Sequence, residues 1–381
     1  MSVGTVETME TAVIGGGVTG LFTAYYLQKE GASVTLYEKG ELGCDSVHAC
    51  GIIEPENFYR TNNFEYLRRA WKYWRNGSTS FRNVDRRWLF GYLRWYGRDP
   101  SAEAWEKIHQ MGLSSFDEYN RMTEEKDDFM FTMGGLVERY ETKKGFEAAV
   151  KSAKEKQPPV AFEVRDEPGW AGVLFFPHMG WLYTELFVKR MERELSKVSI
   201  IHKKVDRLSL DGSLTVAGEA KKFDVVVAST GVSCRKMGLP LTAVKGYGWH
   251  VRPKKKLDVA VIYADRGLAA VPLGEEAKVT GGWDFDLTQR ITHSKLIMER
   301  AERLVGIEKV LDFKSGGRPC SPDGLPVVGR KENVVAATGG FRLGWSYAPA
   351  IGKEAVQLAL GKTKNDPFLS RFCKAMRTAN I

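Results

Sequence analysis

"TAVIGGGVTGLFTAYYLQKEGASVTLYEKG", Thr11 to Gly40, decides the fold. Thr11 to Ile14 is an apolar run of strand length, and Val18 to Glu30 repeats its apolar residues at helical spacing. Gly31 stops that helix, and Ser33 to Tyr37 reads as a second strand ending in Glu38. Together they make a βαβ unit whose turn carries Gly15, Gly17 and Gly20 as G-x-G-x-x-G. The first glycine allows the tight turn, the second lets backbone approach a pyrophosphate, and the third lets helix pack on strand. The helix N-terminus then turns unpaired N–H groups and partial positive charge toward phosphate. Glu38 stands 18 positions after Gly20, where a carboxylate accepts ribose hydroxyls and repels a 2′-phosphate. The stretch predicts a dinucleotide site on Ile14, Gly15, Gly17, Val18, Thr19, Gly20, Glu38 and Lys39.

Outward from this unit, the pattern is mainly helical from residue 57 to about 133. "KKGFEAAVKSAKEKQPP" reads as a helix stopped by Pro158, and "WLYTELFVKRMERELSK" as an amphipathic helix followed by strands in "VSIIHKKVDRLSL". Phe223 to Gly231 is a buried-strand run entering a turn at Thr230 and Gly231. Strand-like runs fill 244 to 279, and a helix is predicted over 294–305. "ENVVAATGG" is another strand into glycines, and "APAIGKEAVQLALG" a helix opened by Pro349. Nucleotide-type elements thus stand near the start, the middle and the end. The expectation is an α/β chain with a doubly wound, Rossmann-like domain from residues 1–75, 140–235 and 323–381. A discontinuous, antiparallel-sheet substrate domain takes 76–139 and 236–322.

The 381 residues suit two domains, and 43% hydrophobic with 27% charged residues is a globular balance. No apolar run reaches the roughly 18 residues of a membrane span. Residues 1–9 lack the basic and apolar regions of a secretory signal, so the expected location is cytoplasmic. Five scattered cysteines predict free thiols, and no metal site is spaced among them. The net charge of +9 gathers in "RRAWKYWRNGSTSFRNVDRRWLFGYLRWYGR", Arg68 to Arg98. Helices with an aromatic core face and a solvated basic face are the plain reading. A peripheral contact with anionic lipid or another subunit is the alternative. Nothing there resembles a nucleic-acid motif.

"GGRPCSPDGLPVVG", Gly316 to Gly329, sets Arg318 among glycine, proline and small apolar residues. A buried arginine needs a partner. Three remain open: an internal ion pair with Asp323, a backbone carbonyl that pins the loop, or the carboxylate of a ligand.

Over nearly its whole length the chain resembles the D-amino-acid oxidase family of FAD-dependent oxidoreductases, nearest in pattern to D-amino-acid dehydrogenases and glycine oxidases. The resemblance rests on "VIGGGVTG" with Glu38, "SVHACGIIEP", "VKGYGWHV", "VTGGWDF", "GGRPCSPDGLPVVG" and "NVVAATGGFRLGW". Residues 57 to 220 match only loosely.

It implies FAD in a glutathione-reductase-type domain, and oxidation of the CH–NH bond of a small amino acid by hydride transfer to flavin N5. The substrate would be a D-amino acid, or a secondary amine such as glycine, sarcosine or proline (EC 1.4 or 1.5). Oxygen, quinone or a partner protein would reoxidise the flavin. A glycerol-3-phosphate dehydrogenase-like enzyme, or an FAD-bearing relay subunit of a larger complex, stands as the alternative. Arg318 would grip the substrate carboxylate with two parallel N–H bonds, Arg342 would stand close by, and Tyr247, Trp249 and His250 would line the pocket. Ser46, His48, Ala49, Gly51, Val205, Thr230, Gly231, Gly340, Arg342, Leu343, Gly344 and Trp345 would complete the FAD site. "HACG" at His48 is also similar to a motif whose histidine bonds covalently to the flavin. No tyrosine stands in "DRGLAAVPLG", where the family's oxidases carry one over the substrate.

Overall fold

The computed structural model describes residues 8–56, 60–156, 158–288 and 290–381. The start of the helical run expected from residue 57 therefore lies outside the described residues. Strand Glu10–Ile14, helix α1 (Val18–Lys29) and strand Ser33–Tyr37 form the βαβ unit at the predicted places. The sheet around it runs Val327–Lys331, Val334–Thr338, Val225–Ala228, Glu10–Ile14, Ser33–Tyr37, Ser199–Ile201 in space. Its neighbours are parallel except the 327–331 edge strand. Strands from the start, the middle and the end meet here because Val225–Ala228 and Val334–Thr338 are nearly all apolar and buried throughout. Such strands are stable only where both sheet faces are covered.

The remaining helices are α2 (Phe64–Arg75), α3 (Arg86–Trp95), α4 (Ala102–Glu125), α5 (Lys143–Lys154), α6 (Thr184–Glu194), α7 (Ser294–Val305) and α8 (Gly344–Ala359). Side chains of Asn63, Asp85 and Ser101 accept backbone N–H groups and cap α2, α3 and α4. Helix α8 does not open at Pro349, as predicted, but five residues earlier at Gly344. Pro349 has no N–H for the Trp345 carbonyl. That carbonyl instead accepts the Tyr119 hydroxyl at 2.8 Å, so the proline is tolerated inside the helix.

A second, nine-stranded sheet runs Ile307–Cys320, Thr242–Pro253, Glu276–Asp286, Leu268–Leu273, Ala260–Tyr263, Leu136–Tyr140, Gly172–Phe176 and Glu163–Arg165, with Phe81–Asn83 beside 276–286. It is antiparallel except where 136–140 meets 260–263 and 81–83 meets 276–286. Strands 163–165 and 172–176 stand in this sheet, whereas the sequence boundaries put 140–235 with the nucleotide domain. The 136–140 strand draws them there, because its partners are 172–176 on one side and 260–263 on the other. Helix α2 also belongs here: Tyr73 donates to the Ala264 carbonyl at 2.9 Å and Lys72 pairs with Asp265.

Among the described residues no helix is long and apolar enough to cross a membrane. All five cysteines are free.

Candidate functional site

The glycine turn is built as its chemistry requires. Gly15 has φ +103°, and a Cβ on it would stand 2.5 Å from the Ser229 carbonyl oxygen. A Cβ on Gly20 would lie 1.8 Å from the Gly15 carbonyl oxygen, so helix and turn touch through backbone alone. Gly20→Ala must therefore push α1 off the sheet. Protein made with that change is expected to purify with little or no flavin, read from the visible absorbance per chain.

Ser46 reaches the same place, its hydroxyl accepting from the Val18 N–H at 3.0 Å, and Gly17 and Thr19 stay partly open beside it. Glu38 is buried and accepts from the Gly16 N–H at 2.7 Å and the Gly40 N–H at 3.0 Å. A carboxylate has further lone pairs to offer a ribose, so this anchoring orients it rather than spends it. Lys39 is exposed next to it, while Val205 lies in the core of a small sheet. Thr230 and Gly231 follow the 225–228 strand, with the Gly231 carbonyl accepting from Thr338 at 3.1 Å.

The C-terminal glycine segment closes over this turn. Trp345 donates its indole N–H to the Ser46 carbonyl at 3.1 Å, and the Ser346 hydroxyl accepts from the Glu54 N–H at 2.9 Å. Phe341, between Gly340 and Arg342, holds φ +44°, a left-handed conformation kept in place by burial against Trp283 at 5.9 Å between rings. Leu343 is buried and Gly344 partly open.

Arg318 comes from the second sheet. Partners across an antiparallel pair share a face, and here Val244 pairs with Arg318, Gly246 with Gly316 and Gly248 with Lys314. His48 lies against this face: a Cβ on Gly316 would stand 2.3 Å from its ring, and one on Gly248 2.2 Å from its carbonyl oxygen. Gly246 makes room for the Arg318 guanidinium, since a Cβ there would lie 2.3 Å from Nη2. Gly248 and Gly316 are thus the floor on which His48 rests, and Gly246 leaves room for the guanidinium beside it.

Arg318 donates to the Gly282 carbonyl at 3.0 Å and stacks over Trp283, 4.8 Å from the ring centre. Among the described residues no carboxylate pairs with it. Asp323 is taken by Arg371, at 2.8 and 2.6 Å, which removes the internal ion pair that the sequence left open. Burial pushes the pKa of Arg318 down to about 10, so it remains a cation at neutral pH. Burial, with the nearby charges of Arg318 and Lys278, pushes His48 down to about 3 and keeps its ring neutral.

Arg342 differs. Its guanidinium donates to both carboxylate oxygens of Glu54, at 2.9 and 3.0 Å, so it carries an internal partner at the edge of the site.

The expected pocket residues need correction by sheet parity. Tyr247 and Trp249 pair with Ser315 and Phe313, on the face opposite Arg318, where they join the α7 core with Ile297 and Ala301. Tyr247 is 0% exposed, its hydroxyl donating to Asp284 at 2.6 Å. His250 faces the His48 side but shares Glu185, at 3.1 Å, with the buried Lys278. Burial alone would push Glu185 up; the His250 hydrogen bond and the Lys278 charge pull it down to about 2. Lys278 also donates to the Val47 carbonyl at 2.6 Å, pinning the residue before His48.

Sequence reasoning missed Tyr66. It lies on the inner side of α2, its hydroxyl an electrostatic neighbour of both Arg318 and Arg342, and burial holds its pKa well above the usual tyrosine value. Its signal was present: Tyr66, Ala70 and Tyr73 at i, i+4 and i+7 mark an inner face of α2.

These residues fit a flavin dinucleotide. Both ring nitrogens of His48 and the Ser229 hydroxyl are buried with no hydrogen-bond partner among the described residues, beside a glycine cradle and an open helix N-terminus. A polar ligand threaded between the two sheets would satisfy them.

Comparison with known proteins agrees. The profile of the family described as "FAD dependent oxidoreductase" (DAO) matches residues 10–358. A D-proline dehydrogenase of Pyrobaculum islandicum is 37% identical over 359 residues, covering 93% of this chain and 96% of the relative. A D-amino acid dehydrogenase of Helicobacter pylori is 20% identical, covering 92% and 94%. Among solved structures, glycine oxidase from Geobacillus kaustophilus has a TM-score of 0.72 at 18% identity, covering 94% and 96%. L-proline dehydrogenase from P. horikoshii has 0.67 at 16% identity, covering 97% and 99%.

Proposed function

The chain belongs to the DAO family of FAD-dependent oxidoreductases, and from that premise we propose that it oxidises D-proline or a closely similar small secondary amino acid. FAD-dependent oxidation of an amino acid is the family's chemistry as it applies here; the identity of the amino acid is the proposal. The observation that carries it is Arg318: a deep cation with no carboxylate of its own among the described residues, beside the cofactor loop.

Bound FAD supplies a two-electron acceptor for the hydride leaving the substrate Cα. Gly15, Gly17, Gly20, Glu38, Ser46 and the 340–345 segment would hold it. Arg318 binds the carboxylate through two parallel N–H bonds and so fixes which Cα–H faces inward. The substrate nitrogen must be neutral when the hydride leaves; a cyclic amino acid then becomes a cyclic iminium, which releases its N–H proton to solvent to give the cyclic imine. Trp283 covers one face of the guanidinium, and Tyr66 stands within electrostatic reach of it.

A phosphate ester fits less well. A dianion calls for several cations, yet Arg342 is matched by Glu54 and Lys278 by Glu185. A single arginine suits a monoanionic carboxylate. We read the enzyme as cytoplasmic and peripheral to a membrane, with oxygen, quinone or a partner protein as electron acceptor. The two-domain division is part of this reading, with 140–176 and helix α2 moved to the substrate domain.

The test is anaerobic bleaching of the flavin band by D-proline, L-proline, sarcosine, glycine, common D-amino acids and glycerol 3-phosphate. D-Proline is expected to bleach it fastest; bleaching by glycerol 3-phosphate, or by none of the panel, would overturn the reading. His48 is read as a noncovalent contact: its neutral, enclosed ring would offer its unpartnered nitrogens to polar atoms of a bound cofactor. Acid precipitation is expected to release the yellow colour into the supernatant.

A further inference from the structure

Helices α2 and α3 are each apolar on two sides. Tyr66, Ala70 and Tyr73 of α2, with Trp88 and Tyr92 of α3, turn inward toward the second sheet. On the outside, Phe64, Leu67, Trp71 and Trp74 stand at i, i+3, i+7 and i+10, one stripe along α2, and are 42–69% exposed. Leu89, Phe90 and Leu93 form the matching outer face of α3, at 49–67%. Of the fifteen large apolar side chains exposed among the described residues, nine lie between Phe64 and Tyr96. A soluble helix has no reason to carry a second apolar stripe into water.

The helices are tied to each other. Asn62 donates to the carbonyls of Trp95 and Arg98, at 2.5 and 3.2 Å, and its own carbonyl accepts from the Gly97 N–H at 2.8 Å. The start of α2 therefore meets the end of α3. The same segment holds the charge. Between Phe64 and Arg98 stand nine basic and two acidic side chains, a local excess of seven in a chain whose net charge is +9. Arg68 and Arg75 flank the α2 stripe, and Arg86 and Arg94 the α3 face, all exposed.

We propose that the outer faces of α2 and α3 dock the enzyme onto an anionic lipid bilayer. The inference gives the peripheral reading above its surface and rests on it, but not on the identity of the substrate. A second copy of the chain fits poorly, because a twofold interface would set these cations against themselves. A bilayer takes both features at once: tryptophan and leucine enter the headgroup boundary while arginines meet anionic headgroups. Since α2 carries Tyr66, an electrostatic neighbour of Arg318, on its inner side, docking occurs through an element that also borders the site.

The experiment is co-sedimentation of the FAD-loaded enzyme with vesicles of phosphatidylcholine mixed with phosphatidylserine, against phosphatidylcholine alone. Binding is expected only with the anionic vesicles and is expected to fall steeply as salt is added. The triple variant Trp71→Ser, Phe90→Ser, Leu93→Ser should lower the partition coefficient about tenfold or more, and Arg86→Glu with Arg94→Glu should do likewise. Bleaching by substrate at the parent rate shows that each variant is folded, and it tests the substrate reading separately. An enzyme that stays in the supernatant with anionic vesicles, or variants that bind as the parent does, would overturn the proposal. So would sedimentation showing that the triple variant splits a dimer into monomers, which would give this face to a second copy.

Discussion

Arg318→Ala will give a folded, yellow protein whose kcat/KM for its amino acid falls by roughly 30- to 5,000-fold. That range converts the roughly 2–5 kcal/mol lost when one partner of a buried charged contact is truncated. The loss falls on substrate capture, because the guanidinium holds the carboxylate equally before and during hydride departure; KM should rise more than kcat falls. The substrate carboxylate would then sit beside Trp283 and the Gly282 carbonyl with no cation. Arg318→Lys should recover only part of the loss, since an ammonium restores charge without the planar fork. Stopped-flow reduction against substrate concentration separates the two terms. A variant that keeps FAD and is reduced at the parent rate and affinity would take Arg318 out of the site.

The nucleotide half of the fold was legible because its signals are local. Three glycines, one helix and two strands lie within Thr11 to Gly40, and each was placed by spacing alone. That Arg318 is a cation set among small apolar residues was equally legible, but not what it would or would not pair with. Asp323 is five residues away in sequence, and only the fold shows that Arg371, from the C-terminal segment, takes it. Tyr247 and Trp249 were misplaced for a simpler reason. A strand residue's face alternates with period two, and the sequence of 242–253 alone cannot say which set faces Arg318 until its pairing with 307–320 is fixed. Tyr66 was hidden by its company: the arginines and tryptophans around it mark the outer face of α2, and the inner face shows only as three residues at helical spacing.

The second large effect separates stability from catalysis within the same segment. Arg371→Ala will leave Asp323 buried and unmatched, since the two side chains are 4% and 3% exposed and meet at 2.6 Å. Breaking a buried pair from one side costs roughly 3–5 kcal/mol, for a fall in Tm on the order of 10 °C. The loss reaches beyond the pair. Arg371 also donates to the carbonyls of Leu325, Pro326 and Phe368, each of which would lose a donor in the interior. Asp323 itself would still accept from the Ser321 hydroxyl and the Leu325 N–H, so the turn after Cys320 keeps its local shape. Well below the new Tm, kcat/KM should therefore stay within a few-fold of the parent, because Arg318 is held from the other side by Gly282 and Trp283. Thermal melts followed by circular dichroism, paired with flavin reduction at low temperature, read both quantities. A variant with the parent's Tm and a collapsed kcat/KM would mean that the Asp323–Arg371 pair serves the substrate rather than the loop, and that the two arginines divide their work differently.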